Sequence, residues 1–460
     1  MTAPPSHTRP ANRPLTRRSI FAQAWPIMLG QASVPLVGIV DTAIIGQTGD
    51  ATALAGVALG STIVMLVFWT FGFLRMGMTG LTAQAHSSGD RAEVEALLLR
   101  ALALGIGLGL LLLALSWPIR EAALAILAGS GAVDGEASGY MLGRFIGAPA
   151  ALAVYAINGW LLGLGRTREA LALQIVMNLA NIALDIWFVW GLGFGAFGVG
   201  LGTACAEIAA LALGLLIVGR VARANILAMI ARTPRPLLTD RARLTRLFAV
   251  NRDIMIRTIA LLALMTWFAN AGARLGATTL AANHVLLQFV SVSAFILDGF
   301  AFTAEERVGG AFGQRDRGRF LRAIRLTAEF SLGTGVLLAL AFLLAGGPVI
   351  DLLTSDPQVR QTARAFLPFA AAIPLIGMPS WMLDGIFIGA SSGRALRNAG
   401  IAAALTYIAL DLALRPAGNL GVWIAMTTSY LLRAGGLAVY FPRLLRDMES
   451  PATVEEGRTA

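Results

Sequence analysis

The chain has 460 residues, of which 57% are hydrophobic and only 13% charged, against about 25% charged in an ordinary soluble chain. That balance excludes a large soluble enzyme domain and fits a protein built for lipid. The net charge of +10 comes from arginine alone, without a single lysine. These arginines are scattered through short loops, which excludes a nucleic-acid-binding face.

In chain order, Arg9, Arg13, Arg17 and Arg18 precede an apolar run that passes Pro26 and Pro35 and reaches Asp41 without a cleavage site. It reads as a retained first helix rather than a removed signal peptide. A span needs about 20 apolar residues. Twelve segments meet that length, at 20–45, 53–83, 94–118, 137–163, 169–190, 197–219, 248–274, 279–309, 323–346, 362–389, 395–414 and 420–441. Alternate loops carry the arginines: Arg91 with Arg100, Arg166 with Arg168, Arg220 to Arg246, Arg315 to Arg325, Arg394 with Arg397, and Arg443 with Arg446. The intervening loops are poor in them. This bias predicts a multi-pass protein of the cell (inner) membrane with both termini cytoplasmic.

The tetrapeptide Ile182-Ala183-Leu184-Asp185 recurs 226 residues later as Ile408-Ala409-Leu410-Asp411. At the same offset Asn158-Gly159 becomes Asp384-Gly385, Arg168 becomes Arg394, Asp90-Arg91 becomes Asp316-Arg317, and Leu54-Ala55 becomes Leu280-Ala281. The chain is therefore a doubled unit. Six spans per half put both copies in the membrane the same way round, related by an axis along the membrane normal. The expected organisation is a cytoplasmic tail at 1–19, an amino-terminal lobe at 20–220, a cytoplasmic linker at 221–247, a carboxyl-terminal lobe at 248–445 and a cytoplasmic tail at 446–460. The fold class is thus all-α and integral to the membrane, twelve helices in two pseudo-symmetric six-helix lobes. The basic linker, with its Arg241–Leu247 amphipathic portion, reads either as a segment lying on an anionic leaflet or as an ordinary inter-lobe loop.

No soluble-enzyme signature is present. His7, His86 and His284 lack zinc spacing, and without a phosphate-binding loop ATP is not the energy source. No cofactor is expected. Cys205 has no partner for an internal disulfide and reads as packing. Gly105, Gly107 and Gly109 sit mid-span and read as close helix packing.

What remains is a set of polar groups at membrane depth. Asp41 ends the first span and Asn158 the fourth. Asn178, Asn181 and Asp185 share one face of the fifth, and Thr203 and Glu207 one face of the sixth. The other half offers Asp298, Glu305, Asp384 and Asp411. A charged carboxylate at the bilayer centre costs about 2.5–3.5 kcal/mol, so Asp41 and Asp185 point to function. Such groups can take a proton from one compartment and release it to the other, or hold a small cation with amide and hydroxyl oxygens completing the shell. Asn178 and Thr203 carry a second reading as helix–helix glue, worth roughly 0.6–2 kcal/mol each. Asp411, close to Arg415 and Pro416, also reads as a solvated helix end. Arg75, Arg144, Arg257 and Arg433 are either counter-charges or snorkelling side chains. The tryptophans lie mostly near span ends and read as interfacial anchors.

The stretches Val40-Asp41-Thr42-Ala43-Ile44-Ile45-Gly46 and Leu54-Ala55-Gly56-Val57-Ala58-Leu59-Gly60 resemble the multidrug and toxic compound extrusion (MATE) family. Phe71–Gly77, Leu81–Ala85, Asn251–Ile254 and Leu297–Ala301 are similar to its DinF-type branch, and the similarity runs from about residue 17 to 445. It implies a V-shaped, two-lobed antiporter. It also implies a cation site at the positions of Asp41, Asn181, Asp185 and Thr203, with Asn158 lining the same cavity and Pro26 at a gating bend of the first helix. Glu305 matches the acidic residue of the branch's eighth-helix motif, but Glu306-Arg307 follow it where small or apolar residues are usual. A carboxyl-lobe sodium site of the NorM-type branch is not evident.

The function expected is export of drug-like, cationic and amphipathic compounds in exchange for H⁺, or for Na⁺ as the alternative ion. A monomer within the lipid bilayer suffices. Two other readings compete. A lipid-linked oligosaccharide flippase would show a strongly cationic cavity and extra spans. A membrane-embedded enzyme would need a nucleophile–base or metal constellation, and none is visible.

Overall fold

The computed structural model describes residues 15–127 and 131–449. The outer parts of both expected tails, including Arg9 and Arg13, lie outside the described residues.

Every regular element among the described residues is helical. The chain runs through α1 (Arg17–Gly46), α2 (Ala51–Thr70), α3 (Phe73–Ser87), α4 (Arg91–Ala114), α5 (Ser116–Leu127), α6 (Gly131–Ile146), α7 (Ala148–Gly163), α8 (Thr167–Ile186) and α9 (Gly195–Ala222). It continues through α10 (Ile226–Arg232), α11 (Arg235–Thr239), α12 (Arg241–Arg274), α13 (Ala277–Gln314), α14 (Arg317–Leu353), α15 (Pro357–Ile376), α16 (Met378–Gly389), α17 (Gly393–Ala413) and α18 (Asn419–Glu449). A π-helical turn, Trp187–Gly191, extends α8.

Ten of these helices or continuous helix pairs are long and apolar enough to cross a membrane. The bent pair α6–α7 makes an eleventh. The 21-residue α17, which carries Arg394, Arg397 and Asp411, fills the twelfth expected place and falls outside that test. Three expected spans are helix pairs. Two of the breaks have a proline at the start of the second helix. Pro149 and Pro379 stand in the first turns of α7 and α16, where a missing N–H costs nothing, but each would break a helix running through from α6 or α15.

The doubled sequence yields doubled local structure. Asp90 and Asp316 cap α4 and α14, accepting from the amides of Glu93 at 2.9 Å and Arg319 at 2.8 Å. The residues just before these caps are left-handed, Gly89 at φ 82° and Arg315 at φ 56°. The amino half uses glycine there, while the carboxyl half tolerates a side chain.

The chain packs as two compact units. The amino unit comprises Phe21–Thr82 and Asp90–Leu262. The carboxyl unit comprises Ala83–Gly89 and the described parts of Met1–Ile20 and Ala263–Ala460. The linker belongs to the amino unit and forms the short helices α10 and α11. Contacts pin it to the start of α4: Glu93 holds Arg243, Glu95 holds Arg232, and Arg100, itself paired with Glu93 at 2.9 Å, donates to the Leu237 carbonyl. The amphipathic Arg241–Leu247 portion is the first turns of α12, which starts seven residues before the expected span because Asp240 accepts from the Arg243 amide at 2.8 Å.

Close helix contacts in the amino unit rest on glycine. A Cβ on Gly105 would stand 2.8 Å from the Leu152 carbonyl oxygen, and one on Gly109 would stand 2.7 Å from the Ala148 carbonyl carbon. Gly107 faces away, with nothing within 4 Å. Of the three glycines read as packing, only the pair at i and i+4 touches a neighbour. Gly109→Leu should force α4 off α7 and cost about 1–3 kcal/mol by overpacking. A lower unfolding temperature in detergent checks this, with Gly107→Leu expected to unfold near the parent.

Candidate ion-coupling site

The site in the amino unit is built on α1, α6, α8 and α9. Asp41 lies near the end of α1 and is 7% exposed, while Asp185, in the last turn of α8, is fully buried. Their carboxyls lie within hydrogen-bonding reach of each other. The helical spacing does what it predicts: Asn181, one turn before Asp185, donates from Nδ2 to Asp185 Oδ2 at 2.9 Å and to Thr203 Oγ1 on α9 at 3.0 Å. Thr203 in turn donates to the Val199 carbonyl at 3.1 Å.

This network uses up its donors and leaves acceptors over. Asp41 Oδ1, Asp185 Oδ1 and Asn181 Oδ1 are buried and have no hydrogen-bond partner among the described residues. Orphaned buried acceptors are costly, and three of them in one cluster call for a proton or a cation. Among the described residues no three His, Cys, Asp or Glu side chains gather as a metal site, so a cation here would rest on two carboxylates plus the amide and hydroxyl oxygens.

Helix contacts hold the pair in place. Asn178 donates to Ser33 Oγ on α1 at 2.9 Å, and Trp190 donates to the Ile44 carbonyl at 3.0 Å. α1 is therefore fastened to the fifth span on both sides of the acids. Asn178 acts here as a brace between helices. Gly202 of α9 lies directly against Asp185: a Cβ there would collide with Oδ1 and stand 3.0 Å from the Asp185 amide nitrogen.

Glu207, one turn beyond Thr203, is buried and ion-paired with Arg144 of α6 at 2.8 Å. Arg144 also lies within electrostatic reach of both aspartates. It is therefore a counter-charge and not a snorkelling side chain. Sequence could not settle this, because the partners sit on different helices 63 residues apart. Asn158 is half-buried on α7, and Pro26 is buried in α1, which runs unbroken through it.

The carboxyl-unit candidates do not form a matching cluster. Asp384 pairs with Arg433 at 3.0 Å, both buried, so Arg433 is likewise a counter-charge. Asp411 is not a solvated helix end. It is 2% exposed and accepts from Arg274 at 2.6 Å and Trp267 at 2.8 Å, because α12 brings both donors across to α17. Glu305 is buried in α13 against the backbone of Gly389, and Asp298 is half-buried. The unusual Glu306-Arg307 form an ion pair with each other at 3.1 Å. Two tryptophans depart from the interfacial reading: Trp160 and Trp423 are buried and donate to the Val94 carbonyl and to Asn283.

The MatE family model matches residues 26–187 and 255–412, once in each half. The chain belongs to the MATE family of transporters. It is 37% identical over 431 residues to DNA damage-inducible protein F of Escherichia coli, covering 94% of this chain and 93% of that one. It is also 26% identical to the multidrug resistance protein PmpM of Pseudomonas aeruginosa, over 77% of this chain and 74% of that one. Among solved structures, the MATE transporter VcmN of Vibrio cholerae in its bent form superposes with a TM-score of 0.83 at 18% identity, covering 94% of this chain and 98% of that one. The chain is thus a multi-pass membrane transporter of the DinF type rather than an enzyme, and its relatives include multidrug resistance proteins.

Gly202→Ala should push the Asp185 carboxyl out of register with Asn181 while the helices stay packed. If the pair holds a coupling ion, its affinity is expected to fall by about tenfold or more, the scale of a 1.4 kcal/mol loss. Ion titration of purified protein checks this, with yield and unfolding temperature near the parent's.

Proposed function

We propose that the chain is a secondary active antiporter that exports organic, cationic and amphipathic compounds in exchange for inward-moving H⁺, with Na⁺ as the alternative coupling ion. The observation that carries the proposal is the surplus of buried acceptor oxygens on Asp41, Asp185 and Asn181. The names of the multidrug relatives support small-molecule export as the cargo side of the exchange.

In this scheme the ion binds at Asp41 and Asp185, with Asn181 and Thr203 completing the shell and Asn158 lining the approach. Loading neutralises the amino lobe (20–220), which removes both the attraction for a cationic drug and the charge cost of repacking the helices. Ion and drug need only differ in affinity between two arrangements of the lobes. A pH gradient supplies about 1.4 kcal/mol per unit. The membrane potential adds about 2.3 kcal/mol per charge per 100 mV. One proton then sustains a tenfold or greater drug gradient without ATP. The protein sits in the cell (inner) membrane as a monomer, with cytoplasmic termini and the linker 221–247 on the cytoplasmic side. Glu207 and the carboxyl-lobe groups Asp298, Glu305 and Asp384 are secondary candidates for substrate contact, and Pro26 is the gating point of α1.

Drug efflux from proteoliposomes under an imposed ΔpH or ΔNa⁺, applied separately, tests the proposal. The parent should respond to one gradient. Asp41→Asn should lose that response by about a hundredfold if ion binding is abolished, the scale of a lost buried charge interaction of nearly 3 kcal/mol. Movement that ignores both gradients, or an unaffected Asp41→Asn, would sink antiport. Separately, Pro26→Ala protein that alternates access at the parent's rate would remove the gating role of Pro26.

A further inference from the structure

We propose that Arg144 is a positioning residue that ties the loading of the Asp41–Asp185 pair to the bend between α6 and α7. This rests on the reading of that pair as the ion site.

Arg144 lies in the last turn of α6, three residues before Gly147, which caps α7. At this break the two helices are bent by 52°. The guanidinium holds Glu207 Oε1 at 2.8 Å, and the two side chains are 11% and 9% exposed. Glu207 Oε2 has no hydrogen-bond partner among the described residues and presses on the break itself. A Cβ on Gly147 would collide with that oxygen and stand 2.7 Å from Ala204 Cα. Glu207 therefore spans the gap from Arg144 to the hinge.

Titratable groups on several helices lie within electrostatic reach of Arg144. Tyr140 lies on its own helix, Tyr155 on α7, Asp41 on α1 and Asp185 on α8, and the Phe68 ring of α2 covers the guanidinium at 5.1 Å. The backbone brings the two sites together. A Cβ on Gly200 would stand 3.1 Å from the Arg144 amide nitrogen, and one on Gly202 would stand 3.0 Å from that of Asp185. One short stretch of α9 thus carries Arg144 on one glycine and Asp185 on the next but one.

A buried guanidinium between a fixed partner and an acid pair of changing charge settles where attraction is greatest, since charges act strongly at low dielectric. With the pair bare, Arg144 is drawn toward it. With the pair loaded, it relaxes onto Glu207. Glu207 follows in both cases, and with it the wall of the Gly147 hinge.

The single cysteine, Cys205, is half-buried on α9 two residues from Glu207 and serves as a native reporter. Full-length protein in detergent at one pH is alkylated with a maleimide in four forms: the parent, Asp41→Asn/Asp185→Asn as a loaded mimic, Arg144→Gln/Glu207→Gln, and all four substitutions combined. The mimic should change the Cys205 rate by about threefold or more in the parent, and by less than about 1.5-fold once the Arg144–Glu207 pair is neutral. Arg144→Lys should retain the response. Equal responses in both backgrounds, or none in the parent, would overturn the proposal, because a merely structural pair gives additive effects. If the doubly neutral protein is not recovered, Glu207→Gln alone supplies the same comparison. Gradient-driven drug transport by Asp41→Asn, measured beside it, tests the underlying ion-site reading by itself: retained transport would fail that reading whatever the cysteine reports.

Discussion

The amino unit is organised around acids that burial does not let it solvate. Asp41, Asp185 and Glu207 all lie among apolar helices whose backbone groups already bond within themselves. Arg144 is the base that reaches all three. Two carboxyls side by side at such depth repel unless a proton or cation lies between them. The rest of the unit serves this constraint. Gly143, Gly200 and Gly202 let α6, α8 and α9 approach closely enough to bury the acids. Ser33 with Asn178, and Ile44 with Trp190, keep α1 from drifting away from its partner acid.

The duplicated half is the natural control. Carried across at 226 residues, Asp185 meets Asp411, Asn158 meets Asp384, and Glu207 meets Arg433. Allowing one residue of gap, Asp41 meets Phe268, which is buried edge-on against Trp423 at 5.3 Å. The carboxyl unit thus keeps carboxylates at the two matching positions but gives both a cation: Arg274 for Asp411 and Arg433 for Asp384. The same backbone plan therefore holds Asp384 and Asp411 each against an arginine in one half, and in the other sets Asp41 beside Asp185 with Arg144 held by Glu207. Breaking a matched buried pair is strongly unfavourable, whereas an excess invites a mobile ion.

Much of this was legible in the chain. Hydrophobic length and arginine-bearing loops mark the spans, the repeat marks their pairing, and helical spacing groups Asn181 with Asp185. Helical spacing speaks only of neighbours on one helix. The links between helices, Arg144 to Glu207, Arg274 to Asp411 and Asn178 to Ser33, depend on how deeply each helix seats against the next. Glycine positions set that depth, and their effect is hidden until the packing is known. Gly105 and Gly109 touch a neighbour while Gly107 does not, yet all three read alike in sequence. The start of α12 and the short linker helices were obscured for a related reason. Ion pairs to Glu93 and Glu95 order a polar segment that hydropathy alone treats as loop.

On the proposed reading, an acceptor surplus also explains why exchange, and not simple export, suits this architecture. Asn181 spends both amide hydrogens on Asp185 and Thr203, and Arg144 is held by Glu207 at 2.8 Å, so among the described residues the leftover oxygens have no hydrogen-bond donor to satisfy them. Something arriving from outside can do so, and on the proposed reading an inward-moving ion and an outgoing cationic drug compete to supply that charge. Whichever is bound, the other is disfavoured by the charge it would add. A site neutral from the outset, such as the matched pairs of the carboxyl unit, would bind neither preferentially and could not link their movements.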